Sequence, residues 1–334
     1  MIVNVCCSGS SGSTLLSHVL NRHPALACGD ELGLFSKPVG YDRFDYLKKK
    51  AFLIKNFGIS SNPYFPEASI LRNLGSYRLN RNAVWRWVRE SADIRALAEK
   101  FRWHVLALTG KPYWVEKTPE NIYLIGPFIK MFPDAKIIHI VRDPRDVMLS
   151  MLRRGNSLEY AASRWLMPVA AVQNYRGDRH VLEIRYEDLI LKSQQTFKAI
   201  CAFLGVDFHM GYFTNDGHQS KGIIKKDRWE SWNLDPQWGI SDRSIGKYKE
   251  SNIDFRPVLS MRLTKAYAHL IKTQEHALVG LARSYDYALP EDDARECKGR
   301  LVPFHPAATL KRHVGNCIRS RLIEYERAFP GAVY

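Results

Sequence analysis

Residues 2–7, Ile-Val-Asn-Val-Cys-Cys, form a short apolar run that breaks at Ser8-Gly9-Ser10-Ser11-Gly12-Ser13. Leu15, Leu16, Val19 and Leu20 follow at helical spacing, and His23-Pro24 closes the segment. A proline pushes its predecessor out of the helical region, so the pattern predicts strand, glycine-rich turn, helix. A second short strand is expected near 25–28, leading into Gly29-Asp30-Glu31.

The alternation resumes at Tyr113. Residues 113–116 read as a strand. Ile122, Ile125, Ile129 and Phe132 make a helical stripe, with Pro127 expected as a kink. Residues 136–141 read as a strand buried on both faces, and 147–152 belong to the helix after it. Residues 180–185 read as another strand, and 189–204 as a helix stopped by Gly205. Repeated strand–helix units imply an α/β fold, with a central parallel sheet flanked by helices.

Residues 36–110 break this rhythm. They are rich in aromatic and basic residues with weak periodicity, and are expected to form a helical insertion. The expected organisation is one domain over 1–290 containing that insertion. A basic extension follows over 291–334, with one helix near 310–325.

Composition narrows the classes. No apolar run approaches the ~18–20 residues that span a bilayer, and no charged segment precedes an apolar stretch at the amino terminus. A soluble protein without a leader is expected. The six cysteines, at 6, 7, 28, 201, 297 and 317, form neither a CxxC pair nor a zinc-spaced cluster. Those at 6, 7, 28 and 201 sit in apolar runs and read as small buried hydrophobes. A reducing, cytoplasmic setting is therefore expected. Forty-nine lysines and arginines against 34 acids give a formal charge of +15, which favours an anionic partner without choosing one.

The turn after the first strand supplies candidate chemistry. Glycines let the backbone approach an anion, and the N–H groups and dipole of the following helix attract it. Ser11, Ser13 and Thr14 add hydroxyl donors. The triphosphatase pattern GxxxxGK[ST] is not met: Cys7 stands at the first glycine and Ser13 at the lysine. A nucleotide kinase or hydrolase, and a non-catalytic basic module for RNA or acidic polysaccharide, remain alternatives at this point.

Four segments together resemble the sulfotransferases that use 3′-phosphoadenosine 5′-phosphosulfate (PAPS), most closely the branch with tyrosylprotein sulfotransferases and bacterial relatives. They are the loop 8–14 with its helix and Cys28-Gly29-Asp30-Glu31; Trp114-Val115-Glu116-Lys117-Thr118-Pro119; Val141-Arg142-Asp143-Pro144-Arg145-Asp146 with Ser150; and Arg185-Tyr186-Glu187-Asp188-Leu189. Ser244-Ile245-Gly246-Lys247-Tyr248 is a weaker match.

The resemblance implies a P-loop-like sulfotransferase fold, PAPS as sulfuryl donor, adenosine 3′,5′-bisphosphate as product, and no metal. It assigns Ser10, Ser11, Gly12, Ser13 and Thr14 to the 5′-phosphosulfate, and Arg142 and Ser150 to the 3′-phosphate. Arg154, one helical turn beyond Ser150, is added on spacing; Tyr186 and Lys247 are carried over with their segments. Lys117 is expected to stabilise the leaving charge and Glu31 to act as base, the alternative for Glu31 being a cap on the next helix or an ion pair with a lysine. Many relatives carry lysine or arginine where this chain has Ser10, which would leave Lys117 to act alone. The partner expected is a hydroxyl-bearing acceptor: a sugar, a small metabolite or a peptide tyrosine. The 36–110 insertion would form the acceptor-side lid. Neither nucleic acid nor a membrane span is expected, and a homodimer is allowed.

Overall fold

The structure is a computed structural model that describes residues 1–36, 38–45, 48–49, 73–213, 242–261 and 277–289. The apolar run at the amino terminus, β1 (Ile2–Cys7), is buried along its whole length. That burial follows from its place in the sheet. β1 runs parallel to β3 (Tyr113–Lys117) on one side and to β4 (Lys136–Val141) on the other. β2 (Leu26–Cys28) runs parallel to β3, and β5 (Val181–Arg185) completes the order β2-β3-β1-β4-β5. A strand covered on both faces and both edges gains little from polar positions, which is why β1 and β4 read as largely apolar runs, with Asn4 and His139 as buried polar exceptions.

The helices, in chain order, are α1 (Ser13–Arg22), α2 (Pro38–Asp42), α3 (Arg81–Glu90), α4 (Ile94–Thr109), α5 (Ile125–Met131) and α6 (Pro144–Leu152). They continue with α7 (Leu158–Val172), α8 (Tyr186–Leu191), α9 (Ser193–Leu204), α10 (Arg256–Leu259) and α11 (Leu278–Arg283). The chain forms two compact units. The first takes Met1–Cys7, Gly12–Ile140 and Gly177–Asp242 and holds the sheet; the second takes Ser8–Ser11, Val141–Arg176 and the chain from Arg243.

In the first unit, α3 and α4 lie within the 36–110 segment. Asn80 caps α3 by accepting from the Ala83 N–H at 2.9 Å, and Asp93 caps α4 by accepting from Ala96 at 2.8 Å. Such caps satisfy amides that the helix itself leaves open. Ile94, Leu97, Phe101 and Val105 form the buried stripe of α4. Residues 50–72 of the insertion lie outside the described residues.

Two expectations in this unit are corrected in detail. The stripe at 122–132 is not one kinked helix: residues 119–124 wind as 3₁₀, and α5 begins at Ile125. Pro127 falls in the first turn of α5, where a missing N–H breaks no helical bond. The helix expected over 189–204 is two, α8 and α9, broken at Lys192 with φ −128° and ψ 40°. Gly205 ends α9 in the left-handed region at φ 67°, as its position suggested.

In the second unit α6 and α7 pack together. Pro144 opens α6, and Asp143 caps it by accepting from the Arg145 N–H at 2.8 Å. α7 has no counterpart among the sequence expectations. Eleven of its 15 residues, from Ala161 to Val172, are buried; a helix covered almost all round shows no polar stripe for periodicity to detect. Cys6, Cys7, Cys28 and Cys201 are buried free thiols, as read from the sequence. The extension over 291–334 lies outside the described residues. Among the described residues, no helix is long and apolar enough to cross a membrane.

Candidate active site

The expected site residues follow the carboxyl ends of strands, where open α/β sheets bind ligands. The loop 8–12 leaves β1, Glu31 follows β2, Lys117 is the last residue of β3, Arg142 follows β4 and Tyr186 follows β5. Lys247 is the exception: it opens a 3₁₀ turn over Lys247–Glu250.

In the first unit, Gly12 is the N-cap of α1 with φ 96°. Two constraints make it glycine. The left-handed backbone disfavours any Cβ, and a Cβ there would lie 2.4 Å from the Tyr186 ring. No side chain caps α1, and its first turn carries no acid. The amino end of a ten-residue helix is thus left for another acceptor. Ser13 is buried, and burial pushes the Cys7 thiol up to about 12 against the hydrogen bond it shares with Ser13.

Lys117 is 4% exposed. Its Nζ donates to Glu31 Oε1 at 2.8 Å and lies 3.5 Å from the Thr14 hydroxyl. The segment carrying Glu31 is fixed by its neighbours. Asn73 Nδ2 donates to the Glu31 carbonyl at 2.8 Å, while Ser76 and Tyr77 hydroxyls donate to Asp30. Nearby on α1, His18 is driven from its ordinary 6.5 to about 3, chiefly by burial and secondarily by the charges of Lys117 and Arg22.

In the second unit, Ser8 and Ser11 share a hydroxyl hydrogen bond. Ser10 adopts φ 66°, and its buried Oγ meets no hydrogen-bond partner among the described residues. Arg142 is 8% exposed, and its guanidinium donates to the carbonyls of Ser10, at 3.0 Å, and of Ser244. Its own carbonyl accepts from Trp165 Nε1 at 2.8 Å.

The two carboxylates next to Arg142 in the sequence have different partners. Asp146 stands 3.8 Å away, and Asp143 instead takes both ends of the Arg145 fork. Asp146 also accepts from the N–H groups of Gly246, at 2.7 Å, and Tyr248, at 3.0 Å. Burial raises the Asp146 carboxyl, against the pull of Arg142 and these two amides. The Arg145 guanidinium lies 3.8 Å from the centroid of the Tyr248 ring. The late loop is therefore pinned to the start of α6 by groups the sequence motifs did not single out.

Ser150 lies on α6, half-buried. Arg154 does not share a helical face with it, because α6 ends at Leu152. Arg154 is exposed in the following turn, where its N–H donates to the Met151 carbonyl at 3.0 Å. Among the described residues, no group of three or more His, Cys, Asp or Glu is placed to hold a metal ion.

Known proteins give this geometry a context. A family model described as the sulfotransferase family matches residues 3–210. The chain is 23% identical over 211 residues to Protein-tyrosine sulfotransferase 2 of Gallus gallus, covering 59% of this chain and 49% of that one. It is 23% identical over 224 residues to the nodulation protein NoeE of Sinorhizobium fredii, covering 59% and 48%. The chain thus spans about half the length of these curated relatives. Among solved structures, the sulfotransferase domain from the Synechococcus PCC 7002 olefin synthase matches with a TM-score of 0.57 and 24% identity, over 86% of this chain and 95% of that domain. The sulfotransferase domain from the curacin biosynthetic pathway matches with a TM-score of 0.56 and 20% identity, over 87% and 98%. At these identities the structural likeness shows the fold.

Proposed function

The chain belongs to the sulfotransferase family, and we propose that it transfers the sulfuryl group of PAPS to a hydroxyl acceptor. The observation that carries this reading is the pair of buried Lys117 with half-buried Glu31, 2.8 Å apart, beside Thr14 of helix α1. A cation and a carboxylate are the two groups that sulfuryl transfer to a hydroxyl asks for: one for charge on the leaving oxygen, one for the acceptor's proton.

The residues present fit the donor. The amino end of α1 and the hydroxyls of Ser13 and Thr14 would hold the 5′-phosphosulfate, with Ser10 and Ser11 on the same loop. Gly12 keeps that backbone open, and Tyr186 covers it. Arg142 offers a planar fork for the 3′-phosphate dianion, with Ser150 and Lys247 as further donors on that unit. When bound, PAPS supplies the sulfuryl group and leaves as the 3′,5′-bisphosphate. Lys117 places a positive charge where negative charge develops. Glu31 accepts the proton of the acceptor hydroxyl. Positioning and electrostatics then supply the rate, as in phosphoryl transfer.

The hydrogen bonds from Asn73, Ser76 and Tyr77 to Asp30 and Glu31 support an acceptor-side role for the 36–110 insertion. One curated relative is named for protein tyrosine, which puts tyrosine peptides alongside sugars and small hydroxyl metabolites as acceptors.

The test has two arms. Adenosine 3′,5′-bisphosphate should raise the melting temperature much more than adenosine 5′-phosphate; at ~100 times the dissociation constant a ligand adds roughly 2.7 kcal/mol. Radiolabelled PAPS incubated with the three acceptor classes should transfer label to at least one. Equal stabilisation by both nucleotides, together with no transfer to any class, overturns the reading.

A further inference from the structure

We propose that Glu116, one residue before Lys117, is a positioning residue that holds the Glu31 segment against the end of β3. The inference rests on the reading of Glu31 as base and Lys117 as charge stabiliser. Glu116 is 0% exposed, a carboxylate inside a strand whose other residues are largely apolar. A buried charge persists where it is fully hydrogen-bonded, and four donors converge on this one.

Its Oε1 accepts from the N–H groups of Leu32, at 3.2 Å, and Gly33, at 3.3 Å, the two residues after Glu31. Oε1 also accepts from the Thr118 hydroxyl at 2.6 Å. Thr118 Oγ1 in turn accepts from the Gly33 N–H at 3.0 Å. Oε2 accepts from Asn121 Nδ2, which also donates to Asn4 Oδ1 of β1 at 2.7 Å. The residues flanking Lys117 on both sides thus staple the residues following Glu31. The chain from β1 through Asn121 anchors the staple to the middle of the sheet. Burial raises the Glu116 carboxyl, while the bonds from Thr118, Asn121 and Leu32 pull it down.

The residue type follows from the donor pattern. All four partners donate, and an ionised carboxylate accepts at both oxygens. A glutamine has nearly the same shape but presents an NH₂ at one end. Accepting from Leu32, Gly33 and Thr118 at its oxygen turns its NH₂ toward the Asn121 NH₂, donor against donor, a conflict relieved only if the Asn121 and Asn4 amides both turn over. Asn121→Asp would restore an acceptor there and keep the buried charge count, with the Asn4 amide turned to donate. The staple therefore predicts a specific rescue.

The experiment compares four proteins: wild type, Glu31→Gln, Glu116→Gln and Glu116→Gln/Asn121→Asp. Three readouts are taken: stabilisation by adenosine 3′,5′-bisphosphate, deuterium uptake by peptides spanning 29–36, and kcat and KM for radiolabelled PAPS with the acceptor on which wild type is most active. Bisphosphate stabilisation should survive in all four. Glu116→Gln should speed exchange of 29–36 and lower kcat by about 10- to 100-fold at unchanged KM for PAPS, the scale of an ångström-level misplacement. The double variant should restore both slow exchange and kcat.

Wild-type exchange and kcat in Glu116→Gln overturn the positioning role while leaving Glu31 as base. A loss of kcat that the double variant does not recover also overturns it, since the donor pattern would then not be the cause. Wild-type kcat in Glu31→Gln instead overturns the base reading; the exchange data still decide whether Glu116 holds the segment. If the single variant does not fold, failure of the double variant to fold with slow exchange overturns the staple.

Discussion

Lys117 Nζ and Glu31 Oε1 stand 2.8 Å apart, with side chains 5% and 25% exposed. The group assigned to the leaving oxygen and the group assigned to the acceptor's proton are thus each other's partner. Their roles separate by substitution. Lys117→Met removes the charge assigned to the phosphosulfate, so transfer should become undetectable and stabilisation by the 3′,5′-bisphosphate should fall. Glu31→Gln keeps the shape and removes the proton acceptor. Its kcat should drop by ~10²–10⁴, the usual range for a general base, with bisphosphate stabilisation kept. Thermal shift and single-turnover transfer measure the two effects. Equal loss of bisphosphate stabilisation in both variants would contradict the division of roles.

Gly12→Ala should be among the most damaging single changes in the loop. The new Cβ meets the Tyr186 ring at 2.4 Å and must sit at φ 96°. Left-handed strain alone costs roughly 1–2 kcal/mol, and the ring must also move. The melting temperature should fall and stabilisation by the bisphosphate should vanish. Gly12→Ala/Tyr186→Ala relieves the clash but not the strain, so it should recover part of the melting temperature and not the whole. Full recovery would mean that backbone conformation contributes nothing.

Much of this site was legible in the sequence because strand ends carry it. All five strands lie within one residue of their expected bounds, since β1, β4 and the glycine turn obey simple periodicity. Lys117 and Glu31, read from separate motifs, meet. What stayed hidden depends on three-dimensional closure. α7 has no polar stripe to announce it. The end of α6 at Leu152 carries no glycine or proline signal inside the helix, so Arg154 looked like its continuation. The Asp146 bonds to Gly246 and Tyr248 join residues 100 and 102 apart, beyond any local pattern. One signal left unused was Glu116, a buried carboxylate beside Lys117 in a strand that is otherwise Tyr, Trp and Val.

His18 makes stability sensitive to acid. Its pKa is depressed from 6.5 to about 3 in the folded chain, burial first among the causes. The unfolded chain therefore binds the proton at higher pH than the folded one. By linkage, stability is unaffected by this group above pH 6.5 and is lost as the pH falls from there towards 3. Denaturant unfolding at pH 7.5 and pH 5 should show a smaller difference in His18→Gln than in wild type. An identical difference in the two proteins would remove His18 from the acid response.

Arg142 does more than its motif suggested. The resemblance assigns it to the 3′-phosphate alone. In the structure its guanidinium serves the carbonyls of Ser10 and Ser244 and faces Asp146 at 3.8 Å. Removing it strips donors from part-buried acceptors, at up to about 1–3 kcal/mol, the cost of a fully buried group. Arg142→Ala should lower the melting temperature of the ligand-free protein as well as its preference for the 3′,5′-bisphosphate over adenosine 5′-phosphate. Arg142→Lys keeps the charge without the fork, so it should bind the bisphosphate with reduced preference. An unchanged ligand-free melting temperature in Arg142→Ala would show that these backbone bonds are dispensable.

Ser10 should be the tolerant position of the loop, in contrast to Lys117. Its hydroxyl is buried without a hydrogen-bond partner among the described residues, and its backbone is left-handed at φ 66°. Even if the hydroxyl bonds a phosphate oxygen when the donor is present, one neutral hydrogen bond contributes about 0.5–1.5 kcal/mol net. Ser10→Ala should therefore lower kcat/KM by no more than about tenfold, since 1.4 kcal/mol is a factor of ten. Lys117→Met removes a charge from a water-poor site and should abolish transfer. Ser10→Asn suits the left-handed backbone better than most residues and should leave the melting temperature unchanged or raise it. Ser10→Arg restores the basic residue many relatives carry; it should tighten bisphosphate binding, read as a larger melting shift, at some cost in ligand-free stability from the backbone. The assignment collapses if Ser10→Ala is as damaging as Lys117→Met, because a hydroxyl would then be carrying the work given to the ammonium.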